Sequence, residues 1–256
     1  MKHIALRSTS MRRDMPYTTP GLGDRAHSIL IGYQYAKSHN TQVCLHLTKD
    51  KYGKEHKKTS WKQLSELTHG LVTYQVHDVS GLDEHVWEAW LFGQGIDAEI
   101  YYYKDTLHMH PREKPVPLEI SQYLKVLPCM DPIDCSSDLD LPEKFVTMQW
   151  DSTDASRQVS PIKLHTIKEK YIENGYELIT VGGSSENEFL RTSLAHAGYA
   201  ISKAGYHIGI DSGMMHLAQF YKPYDKIHIY NDAGFFKSHH LVRAQANGSK
   251  INPDFL

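Results

Sequence analysis

Apolar residues along this chain fall into short runs that alternate with segments of helical spacing. The runs 3–8 (HIALRS), 41–47 (TQVCLHL), 71–79 (LVTYQVHDV) and 98–104 (AEIYYYK) are brief and rich in β-branched or aromatic residues, which predicts strands. Between them, 23–39 repeats Ala26, Ile29, Leu30, Tyr33 and Ala36 at helical spacing, and 61–68 and 82–93 also read as helices. Over 111–143 the pattern dissolves into prolines and acidic turns, with a short helix near 120–127, as expected of an interdomain connection.

The alternation then resumes, with strands at 144–150, 176–183, 206–210 and 226–231. Helices are expected over 160–175, within 187–205 (as one or two) and over 214–221. Ser160 followed by Pro161 predicts an N-cap and first turn, and Gly175 predicts the end of that helix. Strands alternating with helices in both halves predict an α/β protein with parallel sheets. The natural arrangement is two Rossmann-like domains facing a cleft, residues 1–140 and 141–256.

Composition narrows the chemistry by exclusion. The 256 residues carry a formal charge of −2, so no global basic field draws the chain to nucleic acid or anionic lipid. Lys51, Lys54, Lys57 and Lys58 could form a local basic patch, which leaves nucleic acid possible but not favoured. Three cysteines (Cys44, Cys129, Cys135) fit neither a zinc spacing nor a paired disulfide set, as expected in a reducing compartment. No signal-peptide core and no long apolar run is visible, so a soluble, cytoplasmic protein with no membrane span is expected. The 17 histidines are scattered without an HExxH-like pair, and the aspartates at 151 and 154 read as a turn. No metal site and no cofactor is expected.

The stretch 206–218, YHIGIDSGMMHLA, reads as a buried strand, a tight turn at Asp211, Ser212 and Gly213, and a helix opening at Met214. Such a turn aims backbone N–H groups and a helix dipole at one point, which suits a diphosphate. Small residues at 212 and 213 allow an anion close to the backbone. A second glycine-bearing turn, PGLGDRAHSI (20–29), sets Gly21, Gly23 and Asp24 at a helix start, where Asp24 could be an N-cap alone. It is not a GxGxxG dinucleotide fingerprint. Gly182 and Gly183 close the strand 176–183, either for ligand approach or for the turn itself.

Together, PGLGDRAHSI, ELITVGG and HIGIDSGMMHLAQFYKP resemble the GT-B glycosyltransferases, most closely the ADP-heptose:lipopolysaccharide heptosyltransferase family. The resemblance implies an acceptor-binding first domain and a nucleotide-sugar-binding second domain, with metal-free, inverting transfer of a sugar to an acceptor hydroxyl. It further implies that Asp24 is the general base and that Arg157 neutralises the departing diphosphate. Ser212, Gly213, Met214 and Met215 match the diphosphate-holding turn, and Asp211 and His216 belong to the same signature. Gly23, Gly182 and Gly183 match glycines lining the site. The acceptor could be a glycan or a modified nucleic-acid base. A nucleotide-sugar epimerase of the same architecture, or a non-catalytic nucleotide-binding relative, is the alternative; donor, acceptor and oligomeric state are not legible.

Overall fold

The computed structural model describes residues 1–7, 22–48, 55–77, 84–102, 138–151, 158–210, 212–218, 220–222 and 226–230. They form two compact units, whose described parts are 1–102 and 138–230. Among the described residues, no helix is long and apolar enough to cross a membrane.

The first unit runs β1 (Lys2–Arg7), α1 (Leu22–His39), β2 (Val43–Thr48), α2 (Glu55–Glu66), β3 (Val72–His77), α3 (Glu84–Gly93) and β4 (Ala98–Tyr102). Its four parallel strands lie in the order β3-β2-β1-β4. One face carries Ile4, Val43, Leu45 and Val72, all fully buried. There α1 packs so closely that a Cβ at Gly32 would lie 3.0 Å from Val72 Cγ1. Trp61 of α2 sits on the same face, tilted against Tyr74 at 6.3 Å between ring centroids. The opposite face is covered by α3, with Leu91 buried against Ala5. This side is unusually polar, bearing His3, Cys44, His46 and His77. Burial, then the neighbouring His77 and His3, push His46 down to about 4, and burial also lowers His77.

Two local expectations are revised. α2 begins at Glu55 rather than at 61, because EHKKTS consists mostly of helix-compatible polar residues that give no apolar period. Lys57 and Lys58 therefore belong to a helix, while Lys51 and Lys54 lie outside the described residues. Asp24 is the third residue of α1, inside its first turn, so the N-cap reading does not hold. A carboxylate in a first turn still complements the helix dipole.

The second unit runs β5 (Phe145–Gln149), α4 (Pro161–Glu173), β6 (Glu177–Thr180), α5 (Glu188–Thr192), α6 (Leu194–Lys203), β7 (Tyr206–Gly209), α7 (Gly213–Ala218) and β8 (Ile227–Ile229). The strands are parallel in the order β6-β5-β7-β8. Ser160 accepts from the Lys163 N–H with Pro161 in the first turn, as the sequence predicts, and Gly175 follows the helix at φ +76°. The 187–205 segment resolves into two helices capped by Asn187 and Ser193, whose side chains accept first-turn N–H groups. One sheet face packs Val146, Met148 and Ile208 on Ile167 and Tyr171 of α4.

The other face of this sheet contains polar groups that the fold must keep dry. His207 is fully buried, with Nδ1 3.0 Å from the Thr147 hydroxyl. Lys222 donates from its ammonium to the Ser202 carbonyl at 3.3 Å and to the Ala204 carbonyl, satisfying the end of α6. Burial first, and then the Lys222 charge, push His207 from the ordinary 6.5 down to about 3. The unfolded chain takes up a proton there near pH 6.5 and the folded chain does not. This stabilising difference is complete above pH 6.5 and drains as pH falls toward 3, at no more than about 1.4 kcal/mol per pH unit. His207→Gln should therefore lose Tm less steeply than the wild type between pH 7 and pH 5; equal slopes would assign the acid sensitivity to other groups.

Candidate functional site

Strand order determines where each unit can hold a ligand. In the second sheet the chain leaves β5 toward β6 on one side and leaves β7 toward β8 on the other. Connections that diverge in this way open a crevice beyond the carboxyl ends of β5 and β7. In the first sheet the same divergence falls between β1 and β4. The carboxyl end of β1, at Arg7, leads through residues outside the described set to Leu22, Gly23 and Asp24 at the start of α1.

At the β5/β7 crevice the backbones nearly touch. A Cβ at Gly209 would lie 2.2 Å from the Gln149 carbonyl oxygen, so only glycine fits. The closeness lets the Ile210 N–H donate to that oxygen at 3.2 Å, while the Tyr230 N–H takes the Gly209 carbonyl at 2.8 Å. Gln149 is 4% exposed, and its amide nitrogen donates to the Asp151 carbonyl. Among the described residues no donor reaches its Oε1. A buried acceptor left without a donor costs about 1–3 kcal/mol, so among the described residues the end of β5 carries an unmet acceptor.

Gly182 follows β6 at φ +82°, and a Cβ there would come within 3.0 Å of Met214 Cγ and 3.4 Å of Gln149 Cγ. Gly182 is thus required twice, by backbone conformation and by packing. Gly183 is exposed, and a Cβ there would meet Asp151 Oδ2 at an ordinary 3.5 Å. The structure therefore brings Gly182, Gly183 and Met214 together with Gln149 and Asp151.

α7 opens at Gly213, one residue before the expected Met214, because Ser212 acts as its cap. The Ser212 hydroxyl accepts from the Met215 N–H at 3.4 Å, and its carbonyl accepts from the His216 N–H at 3.2 Å. Met214, Met215 and His216 are buried. The helix is only 6 residues long. The N–H groups of its first residues have no intrahelical acceptor. Asp211 and Arg157 lie outside the described residues, as does the side chain of Asp24; Gly23 is the second residue of α1.

Gln149 and Gly209 were not singled out in the sequence. Gly209 carried a signal, since glycine within a strand pattern marks close backbone approach. Gln149 gave none, because its importance comes from its packing in the fold, where no donor among the described residues reaches its Oε1.

No protein-family model matches the chain, and no curated protein matches it. Solved structures do match in fold. One is the Escherichia coli ADP-heptose lipopolysaccharide heptosyltransferase II, with a TM-score of 0.52 at 11% identity over 95% of this chain and 89% of that one. Another is TibC of enterotoxigenic E. coli, described as an iron-containing dodecameric glycosyltransferase, with a TM-score of 0.53 at 11% identity over 92% of this chain. TibC in complex with ADP-D-β-D-heptose gives 0.54 at 11% identity over the same share. The chain spans 59% of TibC's length.

The two glycines of the 182–183 turn make opposite predictions. Gly182→Ala should destabilise the second unit by about 1–2 kcal/mol or more in urea titrations, from left-handed strain alone. Gly183→Ala should stay within about 0.5 kcal/mol of wild type; equal effects would contradict the geometry of the turn. With two parallel sheets and helices crossing between their strands, the chain has the fold of the GT-B heptosyltransferases.

Proposed function

We propose that this protein is a glycosyltransferase that moves a sugar from a nucleoside-diphosphate sugar to an acceptor hydroxyl. The reading is carried by the crevice at the ends of β5 and β7. There Gln149 Oε1, a buried acceptor that no donor among the described residues reaches, lies with the first turn of α7 around Gly182 in a heptosyltransferase-like fold. In this reading residues 141–256 hold the donor and residues 1–140 the acceptor. The N–H groups around Ser212, Gly213 and Met214 hold the diphosphate, with Arg157 supplying a bidentate cation. Gln149 Oε1 receives an N–H or hydroxyl of the nucleoside.

In the reaction the acceptor oxygen attacks the anomeric carbon as the bond to the diphosphate oxygen breaks. The electron pair of that bond leaves with the diphosphate, and the acceptor proton passes to the Asp24 carboxylate. Attack from the opposite face inverts the anomeric centre. Charge on the leaving group is met by fixed dipoles and Arg157, so the step itself needs no metal. The solved relatives point to the first donors to try: heptosyltransferase II is named for ADP-heptose, and TibC was solved with ADP-D-β-D-heptose. Few cysteines and the need for nucleotide sugars suit a cytoplasmic enzyme acting on a glycan.

Calorimetry with nucleoside diphosphates and their sugar conjugates, in the presence of a chelator, tests the reading. Saturable binding weakened by Arg157→Ala is the expected result; no binding to any nucleotide would overturn the assignment. Asp24→Asn should keep donor affinity while lowering turnover by about 100-fold or more. Undiminished turnover would remove Asp24 from the chemistry.

A further inference from the structure

In the first unit, the face of the sheet covered by α3 carries a row of side chains able to ligate a metal. Register brings them together: His3 lies opposite Cys44, Ala5 opposite His46, and Thr48 opposite His77, so all project to one side. His3 Nδ1 is 2.9 Å from His46 Nε2, and His46 Nδ1 is 2.8 Å from His77 Nε2. The donor atoms of His3, Cys44 and His46 all lie within 4.8 Å of one another. Cys44 and His46 are buried at 2% and 0% exposure, while His3 is only half-buried.

We propose that His3, Cys44 and His46 form a binding site for a zinc-class divalent ion, with His77 orienting His46. Two imidazoles and one thiolate are borderline-soft donors, which select zinc over magnesium or calcium. Tetrahedral zinc, with bonds of about 2.0–2.3 Å, sets its donors about 3.3–3.7 Å apart. The His3–His46 pair must open by only a few tenths of an ångström to reach that spacing, and the thiol must close in by about 1.3 Å at most. Paired strand backbones hold the three Cα atoms in place, so side-chain torsions make the adjustment. The half-buried His3 leaves a solvent-side position for a water as fourth ligand.

The protons balance without an external reagent. His3 Nδ1 and His46 Nε2 share one hydrogen bond in the metal-free row, and both must offer lone pairs to the ion. The shared proton moves to an outer ring nitrogen, and the Cys44 thiol proton goes to solvent. His46 then donates from Nδ1 to His77 Nε2, which fixes its tautomer as outer partners of ligating histidines do. The ion would cross-link β1 to β2, and its presence does not depend on the proposed sugar transfer.

Chelator-stripped, full-length protein titrated with Co²⁺ and then Zn²⁺ tests the site. One equivalent should bind with tetrahedral visible absorption and a thiolate-to-cobalt charge-transfer band, and Zn²⁺ should displace it. Cys44→Ala should abolish the charge-transfer band, and His46→Gln should weaken binding by at least about 100-fold. His77→Gln should weaken it by about 10-fold. If Cys44→Ala does not fold, His3→Gln, at the half-exposed position, decides by the same affinity loss. No saturable uptake by folded wild type, affinity unchanged in His3→Gln, or a charge-transfer band that survives in folded Cys44→Ala would overturn the proposal. The last result would assign the thiolate to Cys129 or Cys135.

Discussion

Parallel strands cannot be joined by a tight turn, and every connection between them must cross a sheet face in the same right-handed sense. Most features of this protein follow from that constraint. In each unit the first strand acquires one neighbour early and the other late, on opposite sides, so the connections diverge beside it. Helices on both faces are the means of return, and the crevice is the gap they leave. In the second unit the crossing back to β7 ends with Gly209 pressed against the Gln149 backbone. That contact holds the ends of β5 and β7 together beside the buried Gln149 side chain. The first unit repeats the strand plan, with the divergence between β1 and β4.

The alternating architecture was legible because it is written in local chemistry. Apolar runs of strand length recur between helical periods, and Ser160, Pro161 and Gly175 mark one helix at both ends. The helix opening after Ser212 was legible for the same reason, displaced by one residue because the serine caps it. Less legible was whatever depends on residues far apart in the chain. The first turns of α2 have no apolar period, so a polar helix read as a charged stretch. Gln149 looks like any strand residue until the described residues around it prove to offer its Oε1 no donor. His3, Cys44, His46 and His77 come from three strands, and no spacing rule along one segment could have joined them.

Each sheet buries histidines on one face, and the two units handle that burden differently. In the second unit His207 rests on Thr147 and shares its neighbourhood with Lys222, whose ammonium is engaged with the end of α6. In the first unit imidazoles are matched with imidazoles, each ring able to give and to receive. Such a row tolerates either direction of its protons.

Strand order also governs how the chain comes together during synthesis. β1 binds β2 on one side, but on the other side His3 must wait for Ala98. At the pace of translation that edge stays open for on the order of ten seconds, with its N–H and C=O groups facing whatever is nearby. Weakening β4 would prolong this exposure more than it would loosen the finished sheet. Its cost would be paid in misassembled chains rather than in the melting temperature of those that succeed.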